Sequence, residues 1–569
     1  MHTMAPLATL RGAVRRSSSI VTVWRRLGYR GQVGLALLAG FAIRAALAIT
    51  DDLITNDASA YLLSGESLWA GHGFRREGHP ELHFPPLYPT VLGGLERLFG
   101  DPHTAMVVAT LVASTALLVL VASLGRRLGG DRAGVAAVWV AALATGLTDV
   151  PVTYGSGNEV VFVLLVLTAV RLSILAHDRA ATPRHLAALG AGGMVGCAFL
   201  TRPEGLFYLA VVAAVLVAPI LVRGARDRRS RMVALVVAVA GSAAFVVPYA
   251  SYLRTNTGRW ELTAKTTDAS IEAWQAVAHH DRRARDEVIY ELADDGVSLV
   301  SGRSSLTALA REDPEGYRGI VETNTQELAK AVADPVERKG LGLGWSLLPL
   351  PLTLLAAWGA WRLRRQPSVW LLLTCMALPT ATALAFFVQV RYLIPATAFG
   401  CVLTGLAVTQ LRGWVARLAV GIGAALLLLS LLAAGDGSDG FLNPREPVEL
   451  RTAGEWLAEN TPSDARIMTR SMVVEYYAER RGVAIPYASP EEVLEFAAHH
   501  GVDYIVADSY SFRQLRPQLI DWARGHAPEG YSIVYRDQRS SRNVIVLEVD
   551  HPTSTEPPDP PGMGFMGDG

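Results

Sequence analysis

The sequence predicts a mostly helical protein that crosses a membrane many times and ends in a small α/β domain outside the membrane. Of its 569 residues, 51% are hydrophobic and 18% are charged, with a mean hydropathy of +0.27. This composition is too apolar for an ordinary soluble protein of this length and excludes general disorder. About eleven apolar windows approach the length of roughly 20 residues that a membrane-spanning helix needs.

The apolar windows alternate with basic and non-basic loops. The windows run near residues 32–50, 104–124, 133–147, 160–175, 185–200, 206–222, 232–252, 343–361, 369–387, 392–409 and 418–434. Lys and Arg concentrate in residues 11–30 and in every second short loop after them, as the positive-inside rule expects of cytoplasmic loops. We therefore expect a multi-pass protein of the plasma (inner) membrane with a cytoplasmic N-terminus and an extracytoplasmic C-terminal domain.

These patterns divide the chain into segments. Residues 1–31 form a basic cytoplasmic N-terminus, and residues 32–435 form a transmembrane domain with outward loops at 51–103 and 254–340. Residues 446–550 predict the α/β domain, with strands at 465–470, 502–508, 531–537 and 543–549 and a helix at 491–501. The Pro-, Gly- and acid-rich segment 551–569 is predicted to be disordered.

Charge and cysteine content exclude several classes of function. The chain has 52 basic and 52 acidic residues, so no overall positive charge indicates a nucleic-acid partner. Cys197, Cys375 and Cys401 lie in apolar runs without a CxxC spacing. This placement argues against a disulfide framework or a structural zinc site. Arg44 lies inside the first apolar window, where its side chain can reach a membrane boundary by snorkelling.

The first outward loop carries the strongest candidate for a reactive group. Asp57 and Tyr61 are four residues apart and share one face of a predicted amphipathic helix. The apolar face of this helix would let it lie on the membrane surface, with the Asp57 carboxylate at the height of a lipid headgroup. The alternative is that Asp57 or Asn56 only caps the helix. Asp51 and Asp52 mark the membrane exit of the first apolar window.

Short motifs follow one another in an order that resembles a known group of enzymes. They are D-x-x-x-Y-x-x-x-G at 57–65, GHGF at 71–74, HFPPLYP at 83–89, GRRLGGDRAGVAA at 125–137, NE at 158–159, FLTRPEG at 199–205 and RYLIPA at 391–396. This order is similar to that of the GT-C superfamily of polyprenyl-phosphate-dependent glycosyltransferases. The nearest branch is family 39, which contains protein mannosyltransferases and lipid A aminoarabinose transferases.

The resemblance implies a GT-C-like fold and a sugar transferase that acts on the outer side of the membrane. In that family an acid of the first outward loop is the catalytic base, and Asp57 holds the matching position. Such a carboxylate can accept the proton that an acceptor hydroxyl loses as it attacks the sugar. Glu159 resembles a second acid of the family, which binds the acceptor or a divalent metal ion. Its alternative role is favourable placement at the positive end of a helix dipole.

The leaving phosphate of a lipid donor requires cations or backbone donors. Arg391 is the first candidate, because it lies at an outward helix boundary where basic residues are otherwise rare and its planar fork suits phosphate. Arg202 and Lys265 are the other candidates. Arg202 could instead pair with Glu204, and Lys265 could be a solvated surface residue.

The remaining candidates line the substrate site or concern metals. The predicted lining residues are Tyr61, His83, Tyr88 and Glu204. His72, His79 and His83, with Glu77 and Glu81 between them, match no fixed zinc spacing. A divalent metal ion at the second acid stays open, and no other cofactor is indicated.

The leading hypothesis is an integral-membrane glycosyltransferase whose partners are a polyprenyl-phosphate-linked sugar, membrane lipid and an extracytoplasmic acceptor. The acceptor is a protein, a lipid or a polysaccharide. The alternatives are a polytopic transporter or flippase and a non-catalytic scaffold of the cell envelope. Transporters usually carry internal repeats, and this sequence shows none.

Overall fold

The computed structural model describes residues 24, 26–49, 54–76, 78–144, 146–148, 157–178, 181–223, 227–264, 271–279, 281–299, 310–333, 348–388, 390–413, 418, 421–425, 427, 448–537 and 542–550. Lys265, Asp51, Asp52, Glu77 and the segment 551–569 lie outside these residues. The predictions that concern them stay predictions.

The described part of the chain before residue 410 is almost entirely helical. Its helices are α1 (Gly28–Ile49), α2 (Asn56–Trp69), α3 (Leu87–Phe99), α4 (Pro102–Leu143), α5 (Asn158–Asp178), α6 (Ala181–Phe199), α7 (Tyr208–Arg223), α8 (Arg228–Thr257), α9 (Ile271–Ala278), α10 (Arg282–Ile289), α11 (Pro314–Ala333), α12 (Leu350–Arg362), α13 (Pro367–Ala385) and α14 (Ile394–Val408). A two-stranded hairpin joins β1 (Arg75–Arg76) to β2 (His79–Pro80).

Seven segments of the described residues are long and apolar enough to cross a membrane. They are Gly28–Ala48, Pro102–Leu143, Asn158–Asp178, Pro203–Leu221, Arg228–Thr257, Pro367–Ala385 and Arg391–Val408. The prediction of a mostly helical, multi-pass membrane protein is thus confirmed. The number of about eleven crossings stays a prediction, because most of the last apolar window, 418–434, lies outside the described residues.

Helix α4 is a hairpin of two antiparallel arms. Gly130 has φ +80°, a backbone conformation that only glycine adopts readily, and the chain reverses there. Gly134 packs so closely on Ala122 that an added Cβ would lie 2.7 Å from the Ala122 carbonyl oxygen. In a straight helix these two residues would be about 18 Å apart. The arms correspond to the predicted windows 104–124 and 133–147.

Helix α14 occupies the centre of the bundle. Every residue from Ile394 to Ala407 is buried, so this helix is covered on all sides by its neighbours. A short 3₁₀ turn, Val390–Leu393, precedes it and carries Arg391. The most enclosed helix of the bundle therefore fixes the position of this guanidinium.

Arg44 of α1 is fully buried and does not snorkel to a boundary. Its guanidinium donates five hydrogen bonds of 2.6–3.4 Å to backbone carbonyls of Gly40, Ala141, Ala142 and Leu147. Three of these acceptors lie at or beyond the end of α4, where carbonyl groups lack helical partners. The snorkelling interpretation is therefore wrong, and Arg44 joins α1 to the end of α4.

Helix α2 is enclosed by protein and does not lie free on a membrane surface. Its residues from Asn56 to Leu62 are all buried, whereas Trp69 at its end is half exposed. Helix α3 packs along it, with the Trp69 indole donating a 2.8 Å hydrogen bond to the Thr90 carbonyl. The C-terminal domain covers α2 from another side.

The C-terminal domain is a five-stranded sheet flanked by helices. Its elements are α15 (Val448–Asn460), β3 (Arg466–Thr469), α16 (Met472–Ala478), β4 (Arg481–Ala484), α17 (Pro490–His499), β5 (Tyr504–Asp508), α18 (Ser509–Leu515), α19 (Ile520–Ala523), β6 (Tyr531–Asp537) and β7 (Val544–Val549). The strand order is β4-β3-β5-β7-β6; the first three strands are parallel, and β7 is antiparallel to both β5 and β6. The carboxyl ends of β3 and β5 are followed by residues that face α2 and α10.

Candidate active site

A cavity of about 650 Å³ lies where α2, α5, α9 and the start of α14 meet. Most of its wall is apolar. Six charged side chains line it, namely Asp57, Glu159, Arg202, Glu204, Arg285 and Arg391. The cavity therefore brings together five of the six charged residues that the sequence assigned to the substrate site, while the sixth, Lys265, lies outside the described residues.

Asp57 stands in the first turn of α2 but does not cap it. Thr55 is the N-cap, and its hydroxyl accepts a hydrogen bond from the Ala58 N–H. The capping interpretation of Asp57 and Asn56 is therefore wrong, and the Asp57 side chain is available to the cavity. Its Oδ2 accepts a 2.6 Å hydrogen bond from Nη1 of Arg391.

This ion pair is held away from bulk water. Only 10% of the Asp57 side chain and 6% of the Arg391 side chain are exposed. Nη1 of Arg391 also lies 3.9 Å from Oε1 of Glu159. One guanidinium therefore stands between the two acids that the sequence proposed for catalysis.

Arg202 continues this series of alternating charges. Its Nη1 lies 3.3 Å from Oε1 of Glu159, and its Nε donates a 2.6 Å hydrogen bond to Oε1 of Glu204. The Arg202 guanidinium also lies 4.5 Å from the ring centre of Tyr392. The predicted pair between Arg202 and Glu204 is present, and the same guanidinium extends to Glu159.

Tyr61 forms part of the cavity wall beside these charges. Its hydroxyl accepts a 2.9 Å hydrogen bond from the Asn158 side-chain amide. Its ring packs edge-on against Phe84 and Tyr88. Burial, together with the negative charges of Asp57 and Glu159, raises the pKa of Tyr61 well above its ordinary value. The phenol therefore keeps its proton at neutral pH.

Of the other predicted lining residues, His83 and Glu204 are in the cavity wall. Tyr88 is fully buried behind Tyr61 and is not one of the described residues that line the cavity. Glu81 accepts the backbone N–H groups of His83 and Phe84, so it fixes the loop that carries His83. It also pairs with Arg76 at 3.1 Å.

The structure offers little support for a metal centre. In the described part of the chain, no three His, Cys, Asp or Glu side chains are grouped as metal ligands would be. Asp57 and Glu159, the acids best placed to share a divalent ion, both lie within 4 Å of Nη1 of Arg391. An ion between them would have to displace this guanidinium, so the arrangement present does not fit one.

Asn158 and Arg285 are two of the polar wall residues to which the sequence analysis assigned no role. Asn158 was noted only as the neighbour of Glu159, yet it contacts Tyr61. Arg285 belongs to α10, where alternating charges resemble an ordinary solvated helix, yet it is buried and lines the cavity. Its Nη2 lies 3.3 Å from Oδ1 of Asp286. The mixed charge pattern of the segment gave no signal for this burial.

Comparisons with known proteins agree with this architecture. Residues 83–252 match the family described as dolichyl-phosphate-mannose-protein mannosyltransferase. The matched segment is less than one third of the chain. No curated protein matches the chain by sequence.

Solved structures share the fold at low sequence identity. The archaeal oligosaccharyltransferase AglB from Archaeoglobus fulgidus, in complex with an inhibitory peptide and a dolichol-phosphate, has a TM-score of 0.57 at 15% identity, with 93% of this chain and 75% of that chain covered. The apo crystal structure of the Archaeoglobus fulgidus oligosaccharyltransferase has a TM-score of 0.56 at 14% identity, with 86% of this chain and 70% of that chain covered. A mutant of the arabinofuranosyltransferase AftD from Mycobacteria has a TM-score of 0.51 at 14% identity, with 92% of this chain and 42% of that chain covered. The chain therefore shares the fold of these membrane glycosyltransferase structures.

Proposed function

We propose that the protein is a membrane glycosyltransferase that moves a sugar from a polyprenyl-phosphate donor to an acceptor hydroxyl, with Asp57 as the catalytic base. The observation that carries this proposal is the Asp57 carboxylate in the wall of a largely apolar cavity, bonded to the Arg391 guanidinium at 2.6 Å. A base and a phosphate-binding cation are the two groups that such a transfer needs. The family match and the dolichol-phosphate bound to AglB support the same donor class.

The apolar part of the cavity suits the lipid portion of the donor. Phe207, Trp260 and Leu262 line it, and about half or more of each side chain is exposed. Large exposed apolar side chains at a cavity mouth favour a ligand with an apolar chain. An isoprenoid can therefore lie along this side while its phosphate reaches the charged end.

In the proposed reaction, the acceptor oxygen attacks the anomeric carbon while the bond from that carbon to the phosphate oxygen breaks. The acceptor proton goes to Asp57, and the bonding electrons leave with the lipid phosphate, which needs no general acid. Arg391 stabilises the charge of this phosphate. As the phosphate draws Arg391 toward itself, the Asp57–Arg391 pair weakens and the carboxylate becomes free to accept the proton.

Glu159 has a supporting role in this proposal. Its Oε1 lies within 4 Å of both Arg202 and Arg391, so it orients the two guanidiniums toward the phosphate. An acceptor-binding role for Glu159 remains compatible with its place in the cavity wall. We further propose that the site faces outward from the plasma membrane, since the basic loops predict a cytoplasmic N-terminus.

The test uses the purified full chain in lipid vesicles with radiolabelled polyprenyl-phosphate sugars of several kinds. We expect sugar transfer or release with at least one donor. Asp57→Asn should abolish transfer while donor affinity changes by only a few-fold, because an amide keeps the shape but cannot act as a base.

Asp101→Asn is the matched control, because Asp101 caps α4 from an exposed position and asparagine caps equally well. This variant should keep the parent rate. Near-parent turnover in Asp57→Asn would refute the base. Movement of intact donor across the bilayer without sugar release would instead identify a flippase.

A further inference from the structure

The residue before Asp57 contacts the C-terminal domain. The side-chain oxygen of Asn56 accepts a 3.0 Å hydrogen bond from the backbone N–H of Met472 and lies 3.5 Å from the Ser471 hydroxyl. Asn56 is 8% exposed. A buried amide oxygen bonded to a backbone N–H fixes the separation of the two segments that carry them.

Met472 is the first residue of α16, whose N-cap is Ser471. The Ser471 hydroxyl accepts the N–H of Val473, so it serves a different donor from the one that Asn56 serves. The first N–H groups of a helix have no partner within the helix. Asn56, which belongs to α2, supplies one of the missing acceptors and thereby joins α2 to α16.

A second contact fixes the same end of β3. Arg470 directly precedes Ser471, and its Nε and Nη2 donate hydrogen bonds of 2.9 and 3.0 Å to the carboxylate of Asp286. Arg516 donates a third, of 2.9 Å, to Asp286. The Asp286 carboxylate is fully buried. Neighbouring residues of the C-terminal domain are thus bound to α10 through Arg470 and to α2 through Met472.

We propose that Asn56 is a positioning residue, through which the C-terminal domain holds Asp57 in its catalytic orientation. The inference rests on the proposed function, since it assigns the contact to the site of that reaction. Asn56 and Asp57 are adjacent in the first turn of α2, so a rotation of this turn moves both side chains. Catalytic geometry tolerates only about 0.5 Å of displacement, and hydrogen bonds from outside the site often supply this restraint.

The experiment removes the acceptor and the donor of the hydrogen bond between Asn56 and Met472 in separate variants. Asn56→Ala removes the acceptor. Met472→Pro removes the donor and suits the helix, because proline is favoured at the first helical position. Ser471 has φ −115° and ψ 118°, a conformation that a following proline permits. Met472→Ala loses the side chain but keeps the N–H, so it is the matched control.

We expect Asn56→Ala and Met472→Pro each to lower kcat roughly three- to tenfold, the effect of one lost hydrogen bond, at unchanged KM for donor. The kcat of Met472→Ala should fall less than that of Met472→Pro. The double variant Asn56→Ala/Met472→Pro should be no slower than Met472→Pro alone, because both changes remove the same hydrogen bond. Equal rates in Met472→Pro and Met472→Ala, or multiplicative losses in the double variant, would overturn the inference.

Hydrogen–deuterium exchange of the peptide 56–69, measured without any substrate, gives a readout that does not depend on activity. Exchange should rise in Asn56→Ala, and it should rise more in Met472→Pro than in Met472→Ala, because both Met472 variants lose side-chain packing near α2 and only Met472→Pro also loses the N–H. Unchanged exchange would overturn the inference, and so would raised exchange at the parent rate of transfer. If the parent transfers no sugar, the proposed function fails and the exchange data decide whether the contact orders α2.

Discussion

The ion pair between Asp57 and Arg391 predicts that its two members are unequally important for stability. Arg391→Ala leaves Asp57 and Glu159 as neighbouring carboxylates without the guanidinium that stands between them. Asp57→Asn leaves Arg391 beside Glu159 at 3.9 Å and keeps a hydrogen-bonding side chain at position 57. The first change should therefore destabilise the protein more than the second.

The expected losses in the free energy of unfolding follow from the burial and geometry of the ion pair. Both side chains are at most 10% exposed, so removing the cation leaves uncompensated buried charge, which costs about 3–5 kcal/mol. Replacing the carboxylate by an amide weakens one charge-assisted hydrogen bond, worth about 1.5–3 kcal/mol. The double variant Asp57→Asn/Arg391→Ala should lose less stability than the sum of the single losses, by about 1.5–3 kcal/mol.

Denaturant-induced unfolding of the purified protein in detergent, followed by intrinsic fluorescence, measures these differences. Asp101→Asn serves as a control for loss of one negative charge at an exposed site. The reasoning would be refuted if the two single effects added to within about 0.5 kcal/mol in the double variant, since additivity means that the side chains do not interact. It would also fail if Asp57→Asn were the more destabilising change.

Three further predictions concern other parts of the molecule. Burial opposes ionisation of Asp286, but the neighbouring arginines outweigh this effect and lower the pKa of Asp286 to about 2. About 2 kcal/mol of the free energy of unfolding should therefore be lost as the pH falls from about 5 to 2. Asp286→Asn should remove this pH dependence when melting is measured over a series of pH values. Because a guanidinium lies between the two acids of the site, transfer should survive EDTA, and activity restored only by a divalent ion would contradict this. A cysteine in place of Arg228 should react with an impermeant reagent only in permeabilised cells, and labelling of intact cells would reverse the proposed orientation.

The candidate residues could be predicted because their types are unusual for where they stand. Arg391 lies at a helix boundary that the charge bias otherwise leaves without basic residues, and Asp57 and Glu159 each follow an apolar window or begin one. The structure places all three in one cavity wall. The direct bond between Asp57 and Arg391 was not predictable, since it joins residues 334 positions apart and no local pattern encodes such a contact.

Other differences also arise from contacts that are distant in sequence. The apolar face of α2 predicted a helix on the membrane surface. Instead, α3 packs along this helix, and a domain some 400 residues later in the chain contacts its first turn. The N-cap at Thr55 was missed because asparagine, aspartate and threonine are all favourable there, and only the backbone angles select one of them. The mixed charges of α10 give no local sign that Asp286 is fully buried beside Arg470 and Arg516 of the C-terminal domain.

Arg44 has a consequence for how the chain enters the membrane during synthesis. An arginine at the centre of an isolated membrane helix costs about 2.5–3.5 kcal/mol to insert, which is an upper bound for Arg44 in the last two turns of α1. Of its five hydrogen bonds, one is to Gly40 in the same helix, and the other four are to Ala141, Ala142 and Leu147. Those four bonds form only after about 100 further residues have left the ribosome and the α4 hairpin has inserted. The first helix therefore reaches its final hydrogen bonding only when this later-made partner is in place.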